Sequence, residues 1–146
     1  RRATPMERML DVPIADVATL ERATVDPAMR IDDFVRLALE QRYRTFAVVD
    51  DTGSFRGVVD LDAATVLDPA LWPERTVAGA MRAPVVVGSP GWTAHRGVEA
   101  MSAAQVDHLP VVDEAGRLVG VVRSSEVVRL AQILEQVRED PPWGRA

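Results

Sequence analysis

Apolar residues in the first half of the chain follow two spacings, one typical of strands and the other of helices. Phe46–Val49 is a continuous apolar run, as in a strand that is covered on both faces. A second set recurs every three or four residues and predicts a helix: Ile31, Phe34, Val35, Ala38 and Leu39. With turn residues between them, the predicted order is strand 23–25, helix 31–39, strands 46–49 and 55–59, and helix 62–66.

The second half of the chain repeats this order. A short helix at 77–81 precedes a strand at 85–87, a turn at 88–91, a helix around 94–104 and strands at 109–112 and 118–122. A wide apolar face predicts a closing helix from Ser125 to about Val137, with Ser124 or Ser125 as its N-cap. Thr4-Pro5 predicts the start of one more short helix.

The chain contains one sequence twice. Thr45–Val59 reads TFAVVDDTGSFRGVV and His108–Val122 reads HLPVVDEAGRLVGVV, an offset of 63 residues (120 − 57 for Gly120 and Gly57). One repetition of this length indicates two copies of a folding unit, whereas a solenoid needs three or more. We therefore predict an α/β (α+β) fold made of two tandem β-α-β-β-α repeats.

The repeats set the predicted domain limits. The first copy spans 12–67 and the second 76–137, joined by a linker at 68–75 that contains two prolines and followed by a loose tail at 138–146. Trp72 in the linker is interpreted as a packing anchor rather than a site residue.

Composition excludes several classes of protein. The chain is 47% hydrophobic and 27% charged, which is typical of a globular protein, and its net charge of −5 argues against non-specific nucleic-acid binding. The absence of cysteine excludes disulfides and thiolate chemistry and suits the cytoplasm. No apolar run approaches the roughly 20 residues of a membrane span. The start lacks the features of a signal peptide, and because it begins with Arg1 we expect a part of a larger protein.

The two repeated segments, HLPVVDEAGRLVGVV and TFAVVDDTGSFRGVV, resemble the CBS domain, named after cystathionine β-synthase. The resemblance extends from about residue 12 to about residue 135, and it departs from the family pattern at Ala47, where proline is frequent. It implies a Bateman module, in which the two copies pack about a pseudo-two-fold axis and leave two clefts between them. Such clefts often bind AMP, ADP, ATP or S-adenosylmethionine, and the pair regulates an attached protein. A homodimer is also implied.

A second resemblance is to the CBS segments of bacterial site-2 proteases, which are membrane-embedded zinc metalloproteases. It is carried by the stretch from Leu39 to Met81, which has Trp72-Pro73 ahead of the second copy. It implies that the chain is the cytosolic regulatory part of a membrane protein. The catalytic HExxH motif is absent from the sequence.

The family's ribose motif is altered in the first copy. In nucleotide-binding members, Thr or Ser follows the second hairpin strand and Asp stands three residues later, so that a hydroxyl and a carboxylate hold the ribose. Here these places hold Asp60 and Ala63. Asp60 and Asp62 remain candidate acceptors for ligand hydroxyl groups, although their charge opposes a nearby phosphate.

The second copy offers a better anion site. Its two places hold Arg123 and Glu126, and an arginine pairs well with a phosphate while Glu126 is one methylene longer than the usual Asp. The alternative interpretation is that Asp60 and Arg123 are solvated charges at strand ends.

Three further residues are candidate ligand contacts by their place in the repeat. Thr24 lies on the first strand, which lines the cleft in this family, but it also fits a plain strand residue. His108 precedes its strand, a place where a histidine more often packs or forms a hydrogen bond than binds a ligand. Arg44 belongs to an Arg42–Arg44 segment at a helix end, where positive charge is favoured and where it could also meet adenine or phosphate. We predict no metal site and no catalytic residues.

Two functions remain open at this point. One is a regulatory sensor that binds an adenosine-type nucleotide and modulates an attached protein. Stabilisation of the chain by nucleotides would favour this function. The other is a degenerate, ligand-free module for dimerisation or for holding a partner, which the altered ribose motifs favour. We do not expect an enzyme.

Overall fold

A computed structural model describes residues 11–140 and 143–144. The short helix expected from Thr4-Pro5 lies outside these residues, as do Pro141 and Pro142 of the predicted tail. Helices and two small sheets confirm the predicted mixed fold.

The first copy contains a three-stranded sheet. Its elements are β1 (Thr24–Val25), α1 (Ile31–Gln41), β2 (Thr45–Val49), β3 (Phe55–Asp60) and α2 (Leu61–Thr65). Strand β1 pairs parallel with β2, and β2 pairs antiparallel with β3 through the predicted hairpin. Short 3₁₀ helices at Ile14–Asp16 and Pro69–Glu74 stand before and after them.

The second copy contains a two-stranded antiparallel sheet. Its elements are α3 (Val77–Ala80), α4 (Ala94–Ala104), β4 (His108–Val112), β5 (Leu118–Arg123) and α5 (Ser124–Glu139). Helix α4 has the predicted bounds, and Thr93 caps it by accepting a hydrogen bond from the Arg96 N–H.

The strand predicted at 85–87 is wrong. Only Gly88 bridges to β4, at Val111, whereas β1 in the first copy forms a regular pair with β2. In the first copy, the Ala47 N–H of β2 donates to the Ala23 carbonyl, just before β1. The equivalent of Ala47 in β4 is Pro110 (47 + 63), which has no N–H to donate, so the third strand is reduced to a bridge.

The start of each repeat packs on the other repeat. Ile14 is fully buried in the core of the second copy, and Val77, its equivalent 63 residues on, is fully buried in the core of the first. Matching hydrogen bonds hold both segments: the Ile14 N–H donates to the Trp92 carbonyl at 2.8 Å, and the Val77 N–H to the Met29 carbonyl at 2.8 Å. Neither core is complete without a segment from the other copy.

This exchange explains the glycines that recur in the sequence motif. A Cβ on Gly57 would lie 2.7 Å from the Arg82 carbonyl oxygen, and one on Gly120 would lie 2.9 Å from the Thr19 backbone nitrogen. Thr19 and Arg82 end the two exchanged segments and pair with β5 and β3, at Val121 and at Val58. A side chain at either glycine would push the exchanged backbone away from the sheet.

A third cluster of buried residues joins the copies. It combines Ala23 and Ala47 of the first copy with Leu118 and Val121 of the second. The predicted linker holds the 3₁₀ helix at Pro69–Glu74, and Trp72 packs on the first core while its Nε1–H donates to the Ala64 carbonyl. The packing role of Trp72 is thus confirmed.

The predicted N-cap of the closing helix is wrong. Ser124 and Ser125 lie inside α5, whose N-cap is Arg123, and the Ser124 N–H donates to the Asp107 carbonyl at 3.0 Å. The helix continues to Glu139, two residues beyond its predicted end at about Val137.

We predict that Gly120→Ala lowers the free energy of unfolding by about 1–3 kcal/mol, the usual effect of overpacking. Gly79→Ala is the matched control, because nothing lies within 4 Å of its added Cβ, and it should be neutral or slightly stabilising. Urea unfolding measures both variants. Equal stability of Gly120→Ala and the parent chain would show that the exchanged segment does not press on β5.

The hydrogen bonds of Asp50 should make the stability of the chain depend on pH. Its carboxylate accepts the Thr52 hydroxyl at 2.6 Å and the backbone N–H groups of Thr52 and Ser54, which lowers the Asp50 pKa from 3.8 to about 2. The stabilisation is therefore complete above the unfolded pKa and is lost as pH falls toward 2. We expect Asp50→Asn to be less stable than the parent at pH 5 and equal to it near pH 2. A constant difference in urea unfolding across this range would contradict the prediction.

Candidate functional site

A pocket of about 230 Å³ lies where the end of α1 and the start of β2 meet the second copy. Helix α1 is followed by its C-cap Arg42, whose left-handed conformation (φ 59°) turns the chain toward β2. Residues of both copies line the pocket: Arg42, Tyr43, Arg44, Thr45, Asp107, His108, Arg123 and Ser125.

Equivalent positions of the two repeats meet at this pocket. The 63-residue offset relates Arg44 to Asp107 and Thr45 to His108, and both members of each pair are lining residues. The pocket therefore lies between the copies, on their pseudo-symmetric contact. Its residues are nevertheless different in the two copies, so the chemistry of the pocket is asymmetric.

Arg123 is buried, with 5% of its surface exposed, so the solvated alternative is wrong for this residue. Its guanidinium lies 3.7 Å from the centroid of the Tyr43 ring, and its Nη2 donates to the Thr45 carbonyl at 2.8 Å. Burial lowers the pKa of Arg123, but a guanidinium keeps its charge at neutral pH. Among the described residues, its buried Nη1 has no hydrogen-bond partner.

Glu126 is engaged by a residue of the other copy. The Tyr43 hydroxyl donates to its Oε1 at 2.7 Å, and this bond, together with burial, raises the pKa of Tyr43. Both residues also line a second pocket of about 320 Å³, together with Thr19, Glu21 and Arg22. Tyr43 thus separates the two pockets, since it contributes to the wall of each.

The two candidate carboxylates of the first copy, Asp60 and Asp62, are already bonded within the chain. Asp60 caps α2 by accepting the Ala63 N–H at 3.0 Å, and its other oxygen pairs with Arg82 at 3.1 Å. Asp62 pairs with Arg44. Asp60 is therefore not a solvated strand-end charge, and a ligand hydroxyl would have to displace these partners.

The structure brings together only some of the predicted site residues. Arg44, His108 and Arg123 line the first pocket, and Glu126 lines the second. Thr24 pairs with Ala47 in the sheet of the first copy. Neither it nor the two candidate carboxylates, Asp60 and Asp62, line either pocket.

Several lining residues were not predicted as site residues. Tyr43 was included only as part of the Arg42–Arg44 segment, in which Arg44 was the named candidate. Thr45 and Asp107 were not candidates. The repeat carried a usable signal, since the candidates His108 and Arg44 have Thr45 and Asp107 as their equivalents in the other copy. Nothing in the repeat indicates that Tyr43 reaches Glu126, which is 83 residues away.

The lining of the first pocket is rich in arginine although the chain is acidic. It contains three arginines, Arg42, Arg44 and Arg123, and one carboxylate, that of Asp107, whereas the net charge of the whole chain is −5. Of the three arginines, Arg44 is already paired with Asp62. Guanidinium groups are well suited to bind phosphate through paired hydrogen bonds. This arrangement favours an anionic ligand.

The CBS domain family model matches the chain twice, at residues 13–64 and 77–132. The chain belongs to the CBS domain family. CBS domains are regulatory rather than catalytic modules. The predicted tandem pair is thus confirmed, whereas a link to site-2 proteases is not shown.

A longer enzyme contains a segment that is similar to this CBS pair. A homoserine O-acetyltransferase from Methanococcoides burtonii is 28% identical over 120 residues, which are 80% of this chain and 24% of that enzyme. The chain therefore spans about a quarter of the length of this curated relative.

Two solved structures share the fold and were determined with nucleotides. CBSX2 in complex with AMP matches with a TM-score of 0.71 and 23% identity, covering 85% of this chain and 98% of that one. The CBS domain of a bacterial CNNM/CorC family Mg²⁺ transporter in complex with ATP matches with a TM-score of 0.72 and 20% identity, covering 88% and 92%.

No helix among residues 11–140 is long and apolar enough to cross a membrane. In the same part of the chain, no three histidine or acidic side chains group as metal ligands would.

We predict that Arg123→Ala lowers the free energy of unfolding by about 1–3 kcal/mol, because it removes a desolvated cation–ring contact and a hydrogen bond between the copies. Arg36→Ala is the control, since its side chain is exposed on α1, and it should change stability by less than about 0.5 kcal/mol. Urea unfolding compares the two. An Arg123 variant as stable as its control would contradict a structural role for this contact.

Proposed function

We propose that this CBS pair is a regulatory module that binds an adenosine nucleotide between its two copies and thereby modulates an attached protein. The observation that carries the proposal is the pocket between the copies, whose lining contains Arg42, Arg44 and the largely buried Arg123. Guanidinium groups bind phosphate through paired, charge-assisted hydrogen bonds.

The two pockets suggest how the ligand is divided between them. The phosphates belong in the arginine-lined pocket, and the ribose belongs at Glu126, at the place where the family carries its ribose carboxylate. Tyr43 and Arg22 in the second pocket then stand near the base. This arrangement favours AMP, ADP or ATP over S-adenosylmethionine, which has no phosphate and carries a sulfonium charge.

Binding at this place would affect the contact between the copies. The Arg123–Thr45 and Tyr43–Glu126 hydrogen bonds each join one copy to the other. A ligand that prefers the arrangement without one of these bonds shifts the relative position of the copies, and such a preference is what a regulatory signal requires.

The attached protein stays a prediction. The resemblance of the sequence suggests a membrane metalloprotease, with the CBS pair on its cytosolic side. A homodimer is also proposed, and exposed apolar residues on α5 offer a surface for it: Val128, Leu130, Ile133 and Leu134.

A second candidate function is a ligand-free module for dimerisation or for holding a partner. It is favoured by one specific observation, which is that the altered ribose motifs are satisfied inside the chain. Asp60 bonds to Ala63 and Arg82, and Glu126 bonds to Tyr43. Such a module would need no small molecule to hold its two copies together.

We expect a nucleotide to raise the melting temperature of the chain. AMP, ADP, ATP, adenosine and S-adenosylmethionine, each with magnesium, are compared in thermal unfolding. A ligand at about 100 times its Kd stabilises by about 2.7 kcal/mol, or about 5–10 °C here. Arg44→Gln should reduce the shift with ATP more than the shift with adenosine, and Arg36→Gln should change neither. No shift with any of the five at millimolar concentration would favour the ligand-free module.

A further inference from the structure

One hydrogen bond closes the ribose position of the second copy from inside. The Tyr43 hydroxyl donates to Glu126 at 2.7 Å, and Glu126 stands in the first turn of α5, where the family motif has its ribose-binding carboxylate. We name this bond the Tyr43 latch. The inference below rests on the proposed function.

Contacts on two sides hold the ring of Tyr43 in place. The Arg123 guanidinium covers one face at 3.7 Å, and the ring of Phe46 meets it edge-on, with centroids 6.3 Å apart. The backbone is fixed as well, because the Tyr43 N–H donates to the Ala38 carbonyl at the end of α1. The hydroxyl is therefore presented to Glu126 by a rigid aromatic group rather than by a mobile side chain.

The latch lies between the two pockets. Tyr43 is a wall residue of the pocket with the arginines and of the pocket with Thr19 and Arg22, while Glu126 belongs to the second. A nucleotide with its phosphate in one pocket and its nucleoside in the other would have to pass the phenol. The bond is thus in the path of the ligand as well as on one of its binding groups.

The first copy has no equivalent latch. The 63-residue offset relates Tyr43 to Val106 and Glu126 to Ala63, neither of which can form such a bond. The contact is therefore not a by-product of the repeated fold. It is a special feature of one of the two clefts.

We propose that Tyr43 is an internal competitor of the ligand: its hydroxyl occupies the carboxylate that a ribose needs, and the ligand must release it to bind. The ligand then has to bring hydroxyl donors of its own, as a ribose with free hydroxyl groups does. Release removes one of the bonds between the copies, so that occupancy of the cleft and the Tyr43–Glu126 hydrogen bond exclude each other.

The charges around the phenol give a second readout. Glu126 raises the pKa of Tyr43, while the positive charges of Arg123 and Arg22 oppose this effect. The chain has a single tyrosine, so a tyrosine ring carbon signal in NMR reports on this residue alone.

The decisive experiment is adenosine binding to Tyr43→Phe by calorimetry with the whole chain. Adenosine carries no phosphate, so its affinity does not depend on the arginine pocket. Phenylalanine keeps the ring contacts and removes only the hydroxyl. We expect adenosine to bind about threefold to tenfold more tightly, because binding to this variant no longer breaks the hydrogen bond between position 43 and Glu126. Trp72→Phe is the control, because it deletes an aromatic N–H bond to the Ala64 carbonyl on the first core, outside both pockets, and should leave the affinity unchanged.

The outcomes separate the latch from the proposed function. Adenosine binding that is equal or weaker in Tyr43→Phe overturns the latch and leaves the nucleotide module standing. A chain that binds neither adenosine nor AMP in either form overturns both. Without ligand, Glu126→Gln should lower the Tyr43 pKa measured by NMR titration, and an unchanged pKa would mean that the bond does not form in solution.

Discussion

The mutual exchange of the repeat starts is the constraint on which the rest of the structure depends. Ile14 completes the core of the second copy and Val77 completes the core of the first, and both are fully buried. A single β-α-β-β-α unit is too small to bury both of its faces. The exchange therefore makes the two copies one folding unit, and it brings the ends of α1 and β5 to a common contact.

That contact is where the chain departs from a symmetric pair. Position 43 is a tyrosine in the first copy and its equivalent is Val106, while Arg123 corresponds to Asp60. These differences convert one cleft into an arginine-lined pocket with a bonded Glu126, and leave the other with Asp60 tied to Arg82. The proposed site is thus single and asymmetric although the fold is duplicated.

Local patterns in the sequence were sufficient for most elements but not for the site. The apolar spacing and the turns predicted the hairpins and α4, because these depend on neighbours in sequence. The absent strand at 85–87 depends on Pro110, and the burial of Arg123 depends on a ring 80 positions earlier (123 − 43). Both are tertiary effects that no local window contains. The exchanged segments were missed for the same reason, although the 63-residue offset predicted the equivalence of their positions.

The central claim is that the ligand binds on the contact that joins the two copies. Hydrogen exchange of the backbone amides, with and without AMP, tests it most directly. We expect AMP to change the protection of amides at the start of β2, in the first copy, and at the β5–α5 junction, in the second copy. Changes confined to one copy, or none at saturating AMP, would contradict it.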